Sequence, residues 1–415
     1  MPICYSAVIP AVALALAAAQ GDAPAQLGDP VELLKLPKDE LPPITFARPI
    51  ACLSPDGTRM LYIRTHGAAK AKLHLRRVGE PQSDGPAVWD EPIPALYCRM
   101  SFPGIAWRAD GQRVLFCQEP ARDEDGWAEG VHGRRMRPWH MCWDLPNPQF
   151  KLCRYMQLTD APGCTGLSYS PDGSVLYTAL SDVEGHKACG VTAWDSGRQR
   201  GRTVYQRKGT AIYHLVPSPD GKHLAWVETY PRKKGQEFRG PGVVAFNLKA
   251  GKVVLRAGLS KDIPGWLDAQ PPVWTADSTG LCYGDVAEID GIWRREVKVA
   301  DLAGGDEKLL VRDALAVGAV PEGIVLNRGP GCVPMSQELS SYAPPGGSPV
   351  PRSDDVILCE RARPGEFATL VPNAFAHQVT GRRLVYAQAS AGDVLLLRAE
   401  VKPASSPVSA GQRRP

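Results

Sequence analysis

The chain has 415 residues, 44% hydrophobic and 22% charged, the balance of a soluble globule. Length alone allows two or three domains, and 41 glycines with 39 prolines fit a turn-dense all-β protein. The formal net charge of +4 is too small to imply a nucleic-acid partner by itself, and none is assigned.

The first predicted segment, residues 1–25, reads as an export signal. Ile9 to Ala19 is an apolar core ending in small residues, with cleavage expected after Ala19 or after Ala25. No Lys or Arg precedes that core, and Cys4 lies ahead of it, outside a lipoprotein context. The stretch is too short and alanine-rich for a membrane span. The expectation is therefore a periplasmic or secreted protein with no transmembrane span. Residues 26–44 follow as a linker and one strand, Val31-Glu32-Leu33-Leu34-Lys35-Leu36.

From residue 45 one short pattern recurs. Ser54-Pro55-Asp56-Gly57, Ser170-Pro171-Asp172-Gly173 and Ser218-Pro219-Asp220-Gly221 are its clearest copies. Ala109-Asp110-Gly111, Ala276-Asp277-Ser278 and Val379-Thr380-Gly381 are looser, and Pro321-Glu322-Gly323 is degenerate. The seven anchors at 56, 110, 172, 220, 277, 322 and 380 stand about 54 residues apart, the period of a propeller or an array. Asp-Gly is turn chemistry: Asp bonds its own backbone and Gly accepts positive φ. Four residues after the anchor come Met60, Val114, Leu176, Leu224, Leu281 and Leu384, and two further on Tyr62, Phe116, Thr178, Trp226, Tyr283 and Tyr386. Apolar residues two apart line one side of a strand. Three residues before the anchor stand Leu53, Trp107, Tyr169, Pro217, Trp274 and His377, so each anchor joins two strands.

A second hairpin follows in most repeats, as in Val243–Leu248 with Lys252–Arg256 and Val356–Arg361 with Phe367–Val371. Two hairpins make a four-stranded blade. The last repeat stops after one strand of its second hairpin, Val394–Ala399, and the strand at Val31–Leu36 can fill that gap, which would close the ring and cover its edges. The expected fold is an all-β, seven-bladed propeller over residues 45–402. Six blades are the alternative if the unit at Glu322 is an insertion, eight is the upper bound, and a two-sheet sandwich is the competing architecture. The tail 403–415, rich in Pro, Ser and Arg, is read as disordered.

The repeat Ser-Pro-Asp-Gly-x-x-Leu-x-aromatic resembles the TolB-like, WD-repeat-like propeller family over residues 45–400 or so. The resemblance implies the propeller fold. The family spans periplasmic scaffolds, propeller domains of prolyl-oligopeptidase-like enzymes and sugar-acid lyases, so it implies no single activity.

Removal of the signal leaves ten of eleven cysteines, a count that permits disulfides in an exported chain. Cys142 and Cys153 are symmetric about Pro146-Asn147-Pro148, and Cys332 and Cys359 bracket the longest irregular stretch. Each is a candidate pair. Cys52 and Cys282 lie on predicted strands as buried thiols. No Cys-x-x-Cys exists, which argues against structural zinc.

Loop lengths point to a site. The Asp-Gly turns are short, while insertions at Gln118–Trp139, Thr229–Pro241, Asp285–Arg294 and Arg328–Asp355 all fall between second and third strands. They therefore share one face, and binding commonly lives in such loops. Candidate binding residues there are Arg64, His66, Arg134, Arg137, His140, His186, Arg239 and Arg294. Converging Arg and aromatic residues suit a carboxylate, an acidic sugar or an acidic protein surface, whereas each residue taken singly also fits solvated loop charge. His66, His140 and His186 could converge on a divalent metal, but none has motif spacing, and no cofactor is assigned. The nearest string to a nucleophile elbow, Gly166-Leu167-Ser168-Tyr169-Ser170, runs into a strand. Phosphate loops, His-Glu-x-x-His and dinucleotide fingerprints are missing. With no catalytic residues to assign, the leading expectation is a monomeric binding or scaffold module for a protein or acidic glycan. The alternative is a lyase or hydrolase of acidic oligosaccharides.

Overall fold

Each Asp anchor folds its own turn. Ser54 Oγ donates to Asp56 Oδ1 (2.5 Å), the backbone N–H of Thr58 donates to the same oxygen (3.1 Å), and that of Arg59 donates to Ser54 Oγ (3.0 Å). The set recurs with Ser170, Asp172 and Val175, with Ser218, Asp220 and His223, and with Thr275, Asp277 and Gly280. The residue after each of these Asp side chains takes positive φ: Gly57 at 73°, Gly173 at 74°, Gly221 at 68° and Ser278 at 61°, which is why glycine dominates there.

The structure, a computed structural model, describes residues 25–37, 51–65, 71–79, 105–118, 139–144, 149–152, 164–180, 188–195, 201–208, 210–229, 241–260, 270–329, 354–361, 363–390 and 393–403. The first two strands, β1 (Gln26–Leu27) and β2 (Val31–Pro37), belong to the last blade. Next comes a three-stranded sheet of β3 (Ala51–Leu53), β4 (Arg59–Thr65) and β5 (Ala71–Arg77). Four-stranded antiparallel blades follow in chain order. These are β6–β9 (Ile105–Trp107, Arg113–Gln118, Trp139–Asp144, Gln149–Leu152) and β10–β13 (Cys164–Tyr169, Val175–Leu180, Ala188–Asp195, Gly201–Lys208). Then come β14–β17 (Ala211–Pro217, His223–Thr229, Gly242–Asn247, Lys252–Gly258) and β18–β21 (Val273–Trp274, Gly280–Ile289, Ile292–Asp301, Glu307–Arg312). The blade β22–β25 (Ala314–Val320, Gly323–Arg328, Asp355–Cys359, Phe367–Val371) precedes the last strands, β26 (Ala374–Thr380), β27 (Arg383–Ser390) and β28 (Asp393–Lys402).

β2 lies antiparallel on β28, from Val31 opposite Arg398 to Pro37 opposite Asp393. Its Leu33, Leu34 and Leu36 are buried with Met60 and Tyr62 of β4 and Val385 and Leu396 of the last blade. Burying three leucines contributes about 5–9 kcal/mol, an upper estimate against an extended chain. Gln378 bridges the last blade back to the first sheet, accepting from Leu53 N (2.7 Å) and donating to Leu53 O (3.2 Å). Elsewhere Trp274 Nε1 donates to Val216 O of the preceding blade (2.9 Å), and buried Asn327 makes two bonds to Ala376 of the following one (2.6 and 2.9 Å).

The architecture is thus an all-β propeller of four-stranded antiparallel blades. The expectation of seven such blades is corrected. Among the described residues there are six blades, five of four strands and a closing one of five (β26–β28 with β1 and β2), and the β3–β5 sheet has three strands. Of the second hairpin expected in that repeat, β5 is the strand that falls among the described residues; 80–104 lie outside them.

Three local expectations also change. Asp285–Arg294 is no insertion: β19 and β20 pair along their whole length to Ile289 opposite Ile292. Asp290 and Gly291, both at positive φ (53° and 73°), make the tight turn that suits a two-residue hairpin. Cys142 pairs in register with Lys151, not with residue 153, because the hairpin register is not centred on the turn the sequence suggested; Cys153 itself lies outside the described residues. Cys359 is a buried free thiol rather than half of a staple to Cys332. It sits on β24 inside a core with Cys282, Val299 and Ile324. Cys282 is a buried free thiol too, and Cys52 a half-buried one.

Candidate functional site

The propeller has two unlike faces. Turns between first and second strands (54–58, 108–112, 170–174, 218–222, 275–279, 321–322 and 381–382) lie on one, the turn face. Connections between second and third strands lie on the other, the loop face. The longest of them, 119–138, 230–241 and 329–354, run almost wholly outside the described residues. Only β19–β20 among the longer projections is described throughout.

The backbone puts three of the sequence candidates near the loop-side ends of strands. Arg64 is the second-last residue of β4, opposite Lys72, and His140 is the second residue of β8, opposite Cys117. Arg294 lies on β20 opposite Ala287. Its guanidinium is spoken for in part, since Nη1 donates to Asp313 Oδ2 at 2.7 Å. No described contact joins these three to one another. His66, Arg134, Arg137, His186 and Arg239 lie outside the described residues. Among the described residues no three His, Cys, Asp or Glu side chains meet as a metal cage would require.

Beneath this face lie two ionic networks that the sequence reading missed. Glu228, on β15, is fully buried. Its carboxylate accepts from Tyr205 Oη (2.5 Å), Arg207 Nη1 (3.1 Å), Trp226 Nε1 (3.3 Å) and Arg256 Nη1. Burial pushes its carboxyl up, but the Tyr205 and Arg256 donors outweigh burial and hold it below the usual carboxylate range. Tyr205 and Arg207 come from β13 and Arg256 from β17, so the carboxylate ties two blades at their loop-side ends. Asp285, on β19, is also buried. It accepts from Lys298 Nζ (2.6 Å) and from the backbone N–H groups of Ser260 (2.8 Å) and Val286 (2.9 Å). Burial lowers the Lys298 ammonium, and the Asp285 hydrogen bond and charge more than reverse it. Arg312 Nε bonds Glu296 beside them (3.0 Å).

Glu228 and Asp285 each stand eight residues beyond their Asp anchors, 220 and 277. That shared offset was the available signal: an acid inside an apolar strand, Leu224-Ala225-Trp226-Val227-Glu228, has to be paired to be tolerated. Both carboxylate oxygens of Glu228 and both of Asp285 accept from donors within the fold.

No family model matches the chain, and no curated protein matches it. Solved structures do. Hydrazine synthase of Kuenenia stuttgartiensis is 15% identical with a TM-score of 0.51, over 86% of this chain and 97% of that one. An oligogalacturonate lyase of Vibrio parahaemolyticus is 10% identical with a TM-score of 0.51, over 92% and 98%. TolB of Acinetobacter baumannii is 15% identical with a TM-score of 0.39, over 83% and 65%. At these identities the likeness concerns the propeller fold alone.

Proposed function

We propose that this protein is an exported propeller that binds a protein partner through its loop face, as a recognition or scaffold module of the cell envelope. The observation that carries the reading is the asymmetry of the two faces. One is closed by short hydrogen-bonded turns, and the other carries the long connections 119–138, 230–241 and 329–354. Export rests on the apolar stretch Ile9–Ala19. No described helix is long and apolar enough to cross a membrane. Arg64, His66, Arg134, Arg137, His140, His186, Arg239 and Arg294 remain the proposed contact residues, suited to acidic groups on a partner.

A second reading has one specific support. The cationic loop residues would also hold carboxylates of an acidic oligosaccharide, the substrate class named for the similar lyase fold. That reading requires two or more of these residues to meet in a pocket.

A pull-down from native envelope extract, with tagged chain beginning at Gln26, separates the two. A stoichiometric protein partner, lost when Arg134, Arg135 and Arg137 are changed to Glu, supports the scaffold. Failure to capture any protein, with binding of acidic oligosaccharides instead, replaces it with the second reading.

A further inference from the structure

We propose that the turn face carries an oxyanion site at the seam between the last blade and the first sheet, formed by Arg383 and Arg398. Its ligand is a phosphate or sulfate group. The proposal concerns the face opposite the loops and does not depend on the loop-face reading.

Arg383 opens β27 and Arg398 lies on β28. Both reach across the seam to the Ser54–Gly57 turn. Arg383 Nη1 donates to Pro55 O (3.0 Å), and Arg398 Nη1 donates to Gly57 O (3.3 Å). A methyl group on Gly57 would lie 2.9 Å from Arg383 Nη1 and 3.4 Å from Arg398 Nη1. The two guanidiniums therefore flank the same point of the turn, and any side chain there would crowd them. Gly57 also holds φ at 73°, so glycine keeps that space open for two reasons.

Among the described residues neither guanidinium has an ion pair. Four neighbours on the same face are paired: Arg382 with Glu322 (2.6 Å), Arg361 with Asp301 (2.7 Å), Arg363 with Glu360 (3.4 Å) and Arg108 with Asp110 (2.6 Å), whereas Arg59 donates alone to the next turn at Gly111 O (2.7 Å). The acids nearest in the fold are otherwise placed. Asp56 accepts from Ser54 and Thr58, and Glu400, opposite Arg383 in the sheet, makes no ion pair with it. Two adjacent cations without a counter-charge repel each other. Each spends one donor on a backbone carbonyl, which fixes its plane, and keeps further N–H groups in a rigid fork. A tetrahedral oxyanion offsets both charges and accepts from both forks.

Two sources share this chemistry. One is a free phosphate or sulfate. The other is a lipid phosphate headgroup.

The test uses the full chain. Inorganic phosphate is titrated against chloride at matched ionic strength and followed by phosphorus NMR line width. In parallel the chain is sedimented with phosphatidylcholine vesicles with and without phosphatidylglycerol. The expected result is phosphate binding that weakens roughly tenfold or more in Arg383→Gln/Arg398→Gln and is unchanged in Arg363→Gln. Circular dichroism checks that the fold is retained. The Arg383→Lys/Arg398→Lys variant keeps the charge without the forks, and intermediate binding is expected if the Gln variant does not fold. Phosphatidylglycerol-dependent sedimentation that both phosphate and the Gln pair abolish assigns the site to lipid. Phosphate binding without it assigns the site to a soluble ligand. No phosphate binding above chloride, or binding equal in the Gln and wild-type chains, overturns the proposal.

Discussion

At the scale of single residues, hydrogen-bonded carboxylates do most of the ordering. On the turn face Asp172 is held below the usual carboxylate range by the Ser170 hydroxyl first and the Ser174 backbone and hydroxyl next. Near the loop face Glu228 does comparable work inside the protein, with two arginines and a tyrosine from neighbouring strands around it. Removing the carboxylate takes away the charge that Arg207 and Arg256 share across the seam. Glu228→Ala is expected to cost about 3–5 kcal/mol. Tyr205→Phe keeps the ring against Trp226 and Phe246 and loses one bond to a charged group, about 1.5–3 kcal/mol. Urea midpoints of the two variants check both figures. Equal losses would mean that ring packing, not the carboxylate, holds the seam.

At the scale of elements, wedge residues set how one first strand meets the next. Trp274 fills that place in its blade, pairing with Leu281. In the last blade the equivalent is Val379, which pairs with Leu384 and presses on Gly318 of the preceding blade. A Cβ on Gly318 would stand 2.5 Å from Val379 Cβ. Gly318→Ala is expected to cost about 1–3 kcal/mol by overpacking, and Val379→Ala in the same chain should recover part of it. A double-mutant cycle measured by denaturant unfolding tests this. Additive losses would rule out the contact.

The same blade marks the limit of reading structure from sequence. Counting back from its anchor put His377 at the wedge. The turn there has only two residues, Gly381 and Arg382, against five at 275–279, so the count slips by two. His377 falls instead at a bulge between Ala376 and Gln378. Its ring nitrogens are shielded and lack hydrogen-bond partners, and burial pushes its imidazole down to about 4. Hairpins built on Asp-Gly were legible because the turn chemistry is local. The same Asp-Gly turn chemistry at 290–291 makes a hairpin of Asp285–Arg294, which the sequence reading takes as an insertion. Glu228 and Asp285 were passed over because their partners lie on other strands, at separations no local pattern reveals.

At the scale of the whole molecule, the closing strand β2 and the bridge from Gln378 to Leu53 tie the two ends of the chain together. The loop connections can then vary without loosening the ring. Arg64, His140 and Arg294 reach the loop face because second strands end there and third strands begin there. How their side chains and those of the longer connections meet a partner follows from loop conformation, which repeat periodicity does not encode. The loop face, and not the turn face, is the one proposed to meet the protein partner. Hydrogen–deuterium exchange of the captured complex against the free chain tests it most directly. Protection confined to the connections 119–138, 230–241 and 329–354 and to the adjoining tip of β19–β20 is the predicted result. Protection at the Asp-Gly turns with the loop connections unchanged would contradict it.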